Sequence, residues 1–401
     1  MQGGSSPCQV SSLARSEPSQ AIALSVRRLE GTGGPAVEGS SFSAYFERLP
    51  LRRRRLLQTA LAGGAGATLA SALAACGGQP SSSSSPTGVA GNFPSHPKWN
   101  FVFINHVTTN PFFVPTQYGI QDACALVGCT YQWTGSANSL VREMVDAFNA
   151  AIAAKADGIA VSIIDPTAFD DPVNRALDAG IPVVAYNADA PAGSKNRRLA
   201  YIGQDLYQSG YRMGQRIVSL VGSGDVVGFI ATPGSLNIQP RINGAKQAIL
   251  DSKAPINFVE VATGAQVEEE LSRIEAYYLG HSNLKGMFAV DAGSTQGVAQ
   301  VMEKYNLASK GVHGGGYDLL TKTLQEIQAG NLDFTIDQQP YLQGFYPVIQ
   351  LFLYLLSGGL MVPSDTDTGL LFVTKENVGP YLRTQTRFEG SSSKEQLVPR
   401  S

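Results

Sequence analysis

From Lys98 onward the chain predicts an α/β protein of two doubly wound, Rossmann-like lobes, each built on a parallel sheet and joined to the other by crossover hinge strands. Two observations carry that prediction. Short β-branched runs alternate with stretches of helical period, and repeated strand–helix alternation implies a parallel sheet with helices on both faces. The rhythm then restarts around residues 196–206, where AYIGQD precedes a new series of units, as expected where one lobe ends and another begins. Two such lobes leave a cleft that the carboxyl ends of both sets of strands can face.

Taken in order, NFVFINHV reads as the first strand, followed by helices over 115–126 and 140–154. ADGIAVSII, a helix over 172–179, IPVVAYN and RRLAYIG complete the first series. The second runs through a helix over 207–221, GDVVGFIA, a helix over 241–251, NFVEVAT, a helix over 268–279, KGMFAVD, helices over 295–305 and 319–329, and LDFTID. Gly314-Gly315-Gly316 reads as a tight turn before Tyr317-Asp318. The apolar run 348–356 is too short to span a bilayer and reads as a buried helix. The organisation expected is a leader over 1–75, a Gly/Ser/Pro tether over 76–97, one lobe from 98–203 plus 339–367, a second from 204–338 plus 368–388, and a disordered tail over 389–401. LVPRS at the end of that tail is either a protease-tag scar or an ordinary terminus.

Residues 52–76 place the protein before any site is considered. A basic block, a moderately apolar run and small residues before a cysteine form a secretory signal with a lipid-attachment site at Cys76. Arg53-Arg54-Arg55-Leu56-Leu57 fits the twin-arginine pattern, and Leu73-Ala74-Ala75-Cys76 resembles a bacterial lipobox. The alternative for the run is an uncleaved membrane helix, but its Ala, Gly, Ser and Thr content makes it weakly apolar. The polar stretch before Arg52 is an unusually long leader, or the true start lies downstream.

With Lys and Arg together 30 against Asp and Glu 32, the chain has no basic footprint, so nucleic acid is not an expected partner. Cys124 and Cys129 are the cysteines of the soluble body. Export permits a disulfide between them, while the short loop contributes little to stability, so a bond and two buried free thiols both remain open. Neither a second cysteine pair nor a histidine cluster completes a metal site.

Several strings in order carry a family resemblance: Asn110-Pro111-Phe112-Phe113, ADGIAV, AGIPVVAYNADAP, YIGQDLYQSG, Arg241-Ile242-Asn243-Gly244, MFAVDAG, GGGYD and DQQPYLQG. In combination, over about residues 100–346, they resemble the periplasmic sugar-binding proteins of ABC importers, the ribose-binding-like branch with the type I periplasmic binding protein fold. The resemblance implies a monosaccharide or polyol ligand held by hinge closure, a membrane permease as partner, a monomer, and no cofactor. It also implies the site. Phe112 and Phe113 match the aromatic pair that sandwiches a sugar ring, against the reading that both are core. Asn110, extended before a proline, orients their loop or touches ligand. Asn187 stands where the family has an aspartate, and Ala188 where the ribose branch has arginine, which argues against ribose itself. Asp189 either supplies the missing polar group or caps the turn before Pro191. In the second lobe Arg241, Asp291, Asp318 and Gln338 match ligand contacts, although Asp291 and Asp318 also suit helix N-caps. Asp318→Ala is expected to weaken binding by roughly tenfold or more with little change in the unliganded protein's stability.

Catalysis finds no support in the residues. G-x-S-x-G, H-E-x-x-H, a P-loop lysine and G-x-G-x-x-G after the first strand are all missing, and His106, His281 and His313 are scattered and read as surface or strand-end residues. A DNA-binding repressor on the same two lobes would need an N-terminal helix-turn-helix, which the exported chain lacks. The remaining rival is a receptor presenting a small signal to a chemotaxis or sensor protein.

Overall fold

Along the first strand, β1 (Asn100–Asn105), Phe101 and Phe103 face one side of the sheet and Val102 and Ile104 the other, and all four are buried. That two-sided burial is what a doubly wound sheet requires, and it recurs in the inner strands of a computed structural model describing residues 93–384 and 386–394. The leader, Cys76, most of the tether and residues 395–401 lie outside the described residues.

The first series continues with α1 (Val114–Val127), β2 (Thr130–Gly135), α2 (Val141–Ala153), β3 (Gly158–Val161), α3 (Asp170–Asp178), β4 (Val183–Tyr186) and β5 (Tyr201–Gly203). The second comprises α4 (Leu206–Val221), β6 (Gly224–Ile230), α5 (Gln239–Ser252), β7 (Ile256–Ala262), α6 (Val267–Gly280), β8 (Gly286–Ala289), α7 (Ala292–Lys304), β9 (His313–Tyr317), α8 (Thr321–Ala329) and β10 (Phe334–Asp337). The chain then forms α9 (Pro340–Leu356), β11 (Thr366–Asp367), β12 (Leu371–Val373) and α10 (Gly379–Thr384).

These strands make two six-stranded sheets, ordered β11-β5-β4-β3-β1-β2 and β12-β10-β9-β8-β6-β7. Their pairing is parallel except where β12 runs antiparallel to β10. The expected α/β class of two parallel-sheet lobes is therefore the one found. The chain passes between the sheets three times, at 203–206, 337–340 and 367–371. In each sheet the order reverses around the first strand of the series, and the crevice at that switch point opens at the carboxyl ends of the strands.

β11, β12 and α10 were not expected from the sequence, and two further departures have a physical reason. The half-exposed edge strand β2 was not expected, because an edge strand with little buried surface shows no apolar alternation. Gly314, Gly315 and Gly316 are not a turn but the middle of β9, buried and with no left-handed residue among them. A Cβ on Gly315 would stand 2.7 Å from the Phe334 ring, and one on Gly316 would stand 2.2 Å from Thr295 Oγ1. Close packing selects glycine there.

The helix pairs that flank the cleft also meet through glycine. A Cβ on Gly210 of α4 would lie 2.0 Å from the carbonyl oxygen of Arg241, and one on Gly244 of α5 would lie 2.2 Å from that of Tyr207. This contact fixes the height of α5, and with it Arg241. The apolar run at 348–356 is part of the 17-residue α9, and no helix among the described residues is long and apolar enough to cross a membrane. Cys124 and Cys129 are both buried free thiols, with Cys129 Sγ 2.8 Å from Cys124 Sγ across the left-handed Gly128.

Candidate ligand-binding site between the lobes

Strand ends supply the site, because a strand that stops at the sheet edge leaves its next side chains over the crevice. His106 follows β1, Asn187 follows β4, Asp291 comes two residues after β8, Asp318 follows β9 and Gln338 follows β10. Together with Asn110, Phe112, Phe113, Arg241 and Glu270 they line a cavity with about 510 Å³ of unfilled space, part of it open to solvent.

Eight of the nine ligand positions expected from the sequence meet at this cavity. Asp189 does not. Its carboxylate is held by the Arg198 guanidinium, which also reaches Asp365, and it accepts from Ala190 N at 2.8 Å, so the turn-capping alternative describes it. Phe112 and Phe113 form an edge-to-face pair with centroids 4.6 Å apart. Both are buried and both line the cavity, so core and cleft describe the same two rings. Asn110 Oδ1 accepts from Phe112 N at 3.0 Å, capping the short 3-10 turn that presents them.

Asn187 and Asp318 hold φ of 63° and 75°, the left-handed region that Asn and Asp tolerate better than other non-glycine residues. They are joined by a directed chain of hydrogen bonds. Asn237 Nδ2 donates to His106 Nε2 (3.1 Å), and His106 Nδ1 then donates to Ser162 Oγ (3.1 Å), which donates to Asn187 Oδ1 (3.5 Å). Asn187 Nδ2 donates to Gln343 Oε1 (3.1 Å), Gln343 Nε2 to Gln338 Oε1 (3.1 Å), and Gln338 Nε2 to Asp318 Oδ1 (2.7 Å). The chain leaves the second lobe at Asn237, crosses the first, and returns through the hinge.

Arg241 is the cation of this lining. It is 2 % exposed, donates from Nη1 to Val290 O (2.8 Å) and from Nη2 to Gln204 Oε1 (3.1 Å), and lies over the Tyr317 ring at 4.1 Å. Its Nε has no hydrogen-bond partner. Asp291 is both N-cap and lining residue: Oδ1 accepts from Ser294 N (2.8 Å) and Oδ2 from Ala231 N (2.9 Å). Burial raises the Asp291 pKa, partly offset by these bonds and by Arg241. Burial pushes Asp318 up to about 7, again with Arg241 opposing. His106, fully enclosed, is pushed down to about 3 and is neutral.

Sequence reasoning missed Asn237 and Glu270, and it set His106 aside as a surface or strand-end residue. His106 does end a strand, but it is buried in the lining. The lobes also meet across the cleft through Leu236 N to Ile164 O (2.9 Å) and Gln266 Nε2 to Asn138 Oδ1 (2.9 Å).

Comparison with known proteins gives a concordant result. Residues 101–359 match the family described as a periplasmic binding protein domain. The chain is 53% identical over 371 residues to the xylose/arabinose-binding protein XylF of Sulfolobus acidocaldarius, covering 86% of this chain and 90% of that one. Its fold is similar to an ABC transporter solute-binding protein from Burkholderia graminis in complex with D-arabinose, at 28% identity and TM-score 0.66, covering 73% of this chain and all of the other. A solute-binding protein from Agrobacterium vitis bound with α-D-tagatopyranose shares the fold at 24% identity and TM-score 0.65, covering 73% of this chain and 99% of that one.

Proposed function

The chain belongs to the periplasmic binding protein family, and from that premise we propose that it is the extracytoplasmic sugar-binding component of an ABC importer. It takes a monosaccharide or polyol between its lobes and presents it to the permease; it is a receptor, not an enzyme. One observation carries this reading above the others. The cavity sets two aromatic rings of the first lobe against Arg241, Asp291, Asp318 and Gln338 of the second. An aromatic surface suits the C–H side of a sugar, while carboxylate, amide and guanidinium suit its hydroxyls. Pentoses come first among candidates, because the 53%-identical relative is named for xylose and arabinose.

Binding works by closure. Opening the lobes breaks the His106–Asn237, Leu236–Ile164 and Gln266–Asn138 bonds, and a sugar bonded to both lobes favours the closed state because only that state satisfies both sets of contacts. The signal and lipobox of residues 52–76 support a receptor exported by the twin-arginine route and anchored through Cys76. Cys76→Ser is expected to shift the exported protein from the membrane to the soluble fraction; retention in the membrane would exclude that anchor.

A thermal-shift screen against D-xylose, L-arabinose, D-arabinose, hexoses and polyols tests the central reading. A ligand at a hundred times its Kd stabilises by about 2.7 kcal/mol, a rise of several degrees in Tm. A rise confined to one sugar class supports the proposal, and none with any sugar or polyol would overturn it.

A further inference from the structure

Glu270, in the first turns of α6, is 2 % exposed, lines the cavity, and its Oε2 has no hydrogen-bond partner. A buried carboxyl oxygen left unbonded in a fold is costly, and such costs are kept where a ligand removes them. The packing makes room for it: a Cβ on Gly293, at the start of α7, would stand 1.7 Å from Glu270 Oε2. Resting on the sugar reading above, we infer that Glu270 is a specificity-determining ligand contact, whose carboxyl oxygen bonds one hydroxyl of the sugar.

The surroundings fix the form in which it does so. Asp291 faces it from the N-cap of α7, Glu268 and Glu269 from its own helix, and Arg241 and His106 share the cavity lining. Burial first, then Asp291, push its pKa up to about 10. Glu270 therefore meets the ligand as a neutral acid, able to donate and to accept, and glutamine is its closest replacement.

Two variants separate this contact from a packing role. Glu270→Gln keeps a donor and an acceptor; Glu270→Met fills similar volume with neither. Titration calorimetry with D-xylose and L-arabinose is expected to show the glutamine variant within about threefold of wild type at neutral pH, and the methionine variant weaker by roughly tenfold or more. A panel of singly deoxygenated pentoses locates the hydroxyl: one of them should bind wild type and Glu270→Met equally, because the bond is already gone. Unliganded Tm shows that each variant is folded. Wild type binding a fully hydroxylated pentose that Glu270→Met binds as tightly would overturn this inference and leave the sugar reading standing. Wild type binding no sugar would overturn both.

Discussion

Arg241→Met is expected to abolish measurable sugar binding and to destabilise the unliganded protein by on the order of 3 kcal/mol, the usual cost of removing one member of a buried charged group. Arg241 lines the cavity with three carboxyl groups, the buried Glu270 and Asp318 and the partly buried Asp291. Its charge lowers the pKa of Asp291 and Asp318 against burial, which raises both. Its Nη atoms donate to Val290 O and Gln204 Oε1, so the guanidinium is fixed before any ligand arrives, and its unbonded Nε is among the donors left for one. Methionine fills the slot over the Tyr317 ring but supplies neither charge nor donor. Arg241→Lys separates the two losses: the charge stays, so most of the stability should return, while the forked geometry does not, so affinity should remain at least tenfold down. Denaturant midpoints and calorimetry on both variants check this, and full affinity in Arg241→Met would remove Arg241 from the site.

Much of this arrangement was legible in the sequence, for a physical reason. Buried parallel strands read as continuous apolar runs, and residues just past them fall at the cleft by topology alone. Phe112, Phe113, Asn187, Arg241, Asp291, Asp318 and Gln338 were placed by their resemblance to sugar-binding proteins, and for Asn187, Asp291, Asp318 and Gln338 the strand ends agree with it. What was not legible depended on contacts distant in sequence. Asp189 sits two residues after Asn187 and has the right chemistry, yet Arg198 occupies it. Glu270 follows two other glutamates at a helix start and looks like dipole complementation; only the packing of α6 on Gly293 turns it inward. His106 could not be told from a surface histidine until Asn237, 131 positions away, was seen to bond it. The glycine triplet misled because flexibility and close packing select the same residue, and the neighbouring Phe334 ring decides between them.

Asp318→Asn should give the second large effect, and its signature is pH. The backbone here is locked: Asp318 N donates to Ile336 O (2.9 Å) and Thr335 Oγ1 donates to Asp318 O (2.7 Å), holding φ at 75°. Alanine in that left-handed conformation costs roughly 1–2 kcal/mol, so the unchanged stability expected for Asp318→Ala belongs instead to asparagine, which tolerates it. The carboxylate takes one bond from within the protein, Gln338 Nε2 to Oδ1. Burial, with Asp291 and Asp337 adding to it and Arg241 and Gln338 opposing, sets its pKa at about 7. A folded pKa raised above the unfolded value means that the unliganded protein loses stability as pH rises toward about 7. Ligand binding runs the other way. Sugar hydroxyls donating to Asp318 favour its charged form, so binding expels a proton, and affinity should fall as pH drops below about 7, by up to about tenfold per unit. Asparagine should lose roughly tenfold or more at high pH and flatten the profile. Calorimetry between about pH 5 and about pH 8 in buffers of different ionisation heat reads the affinity and the proton together. A wild-type profile already flat across that range, with no proton released, would show that Asp318 meets the sugar without changing its charge, or does not meet it at all.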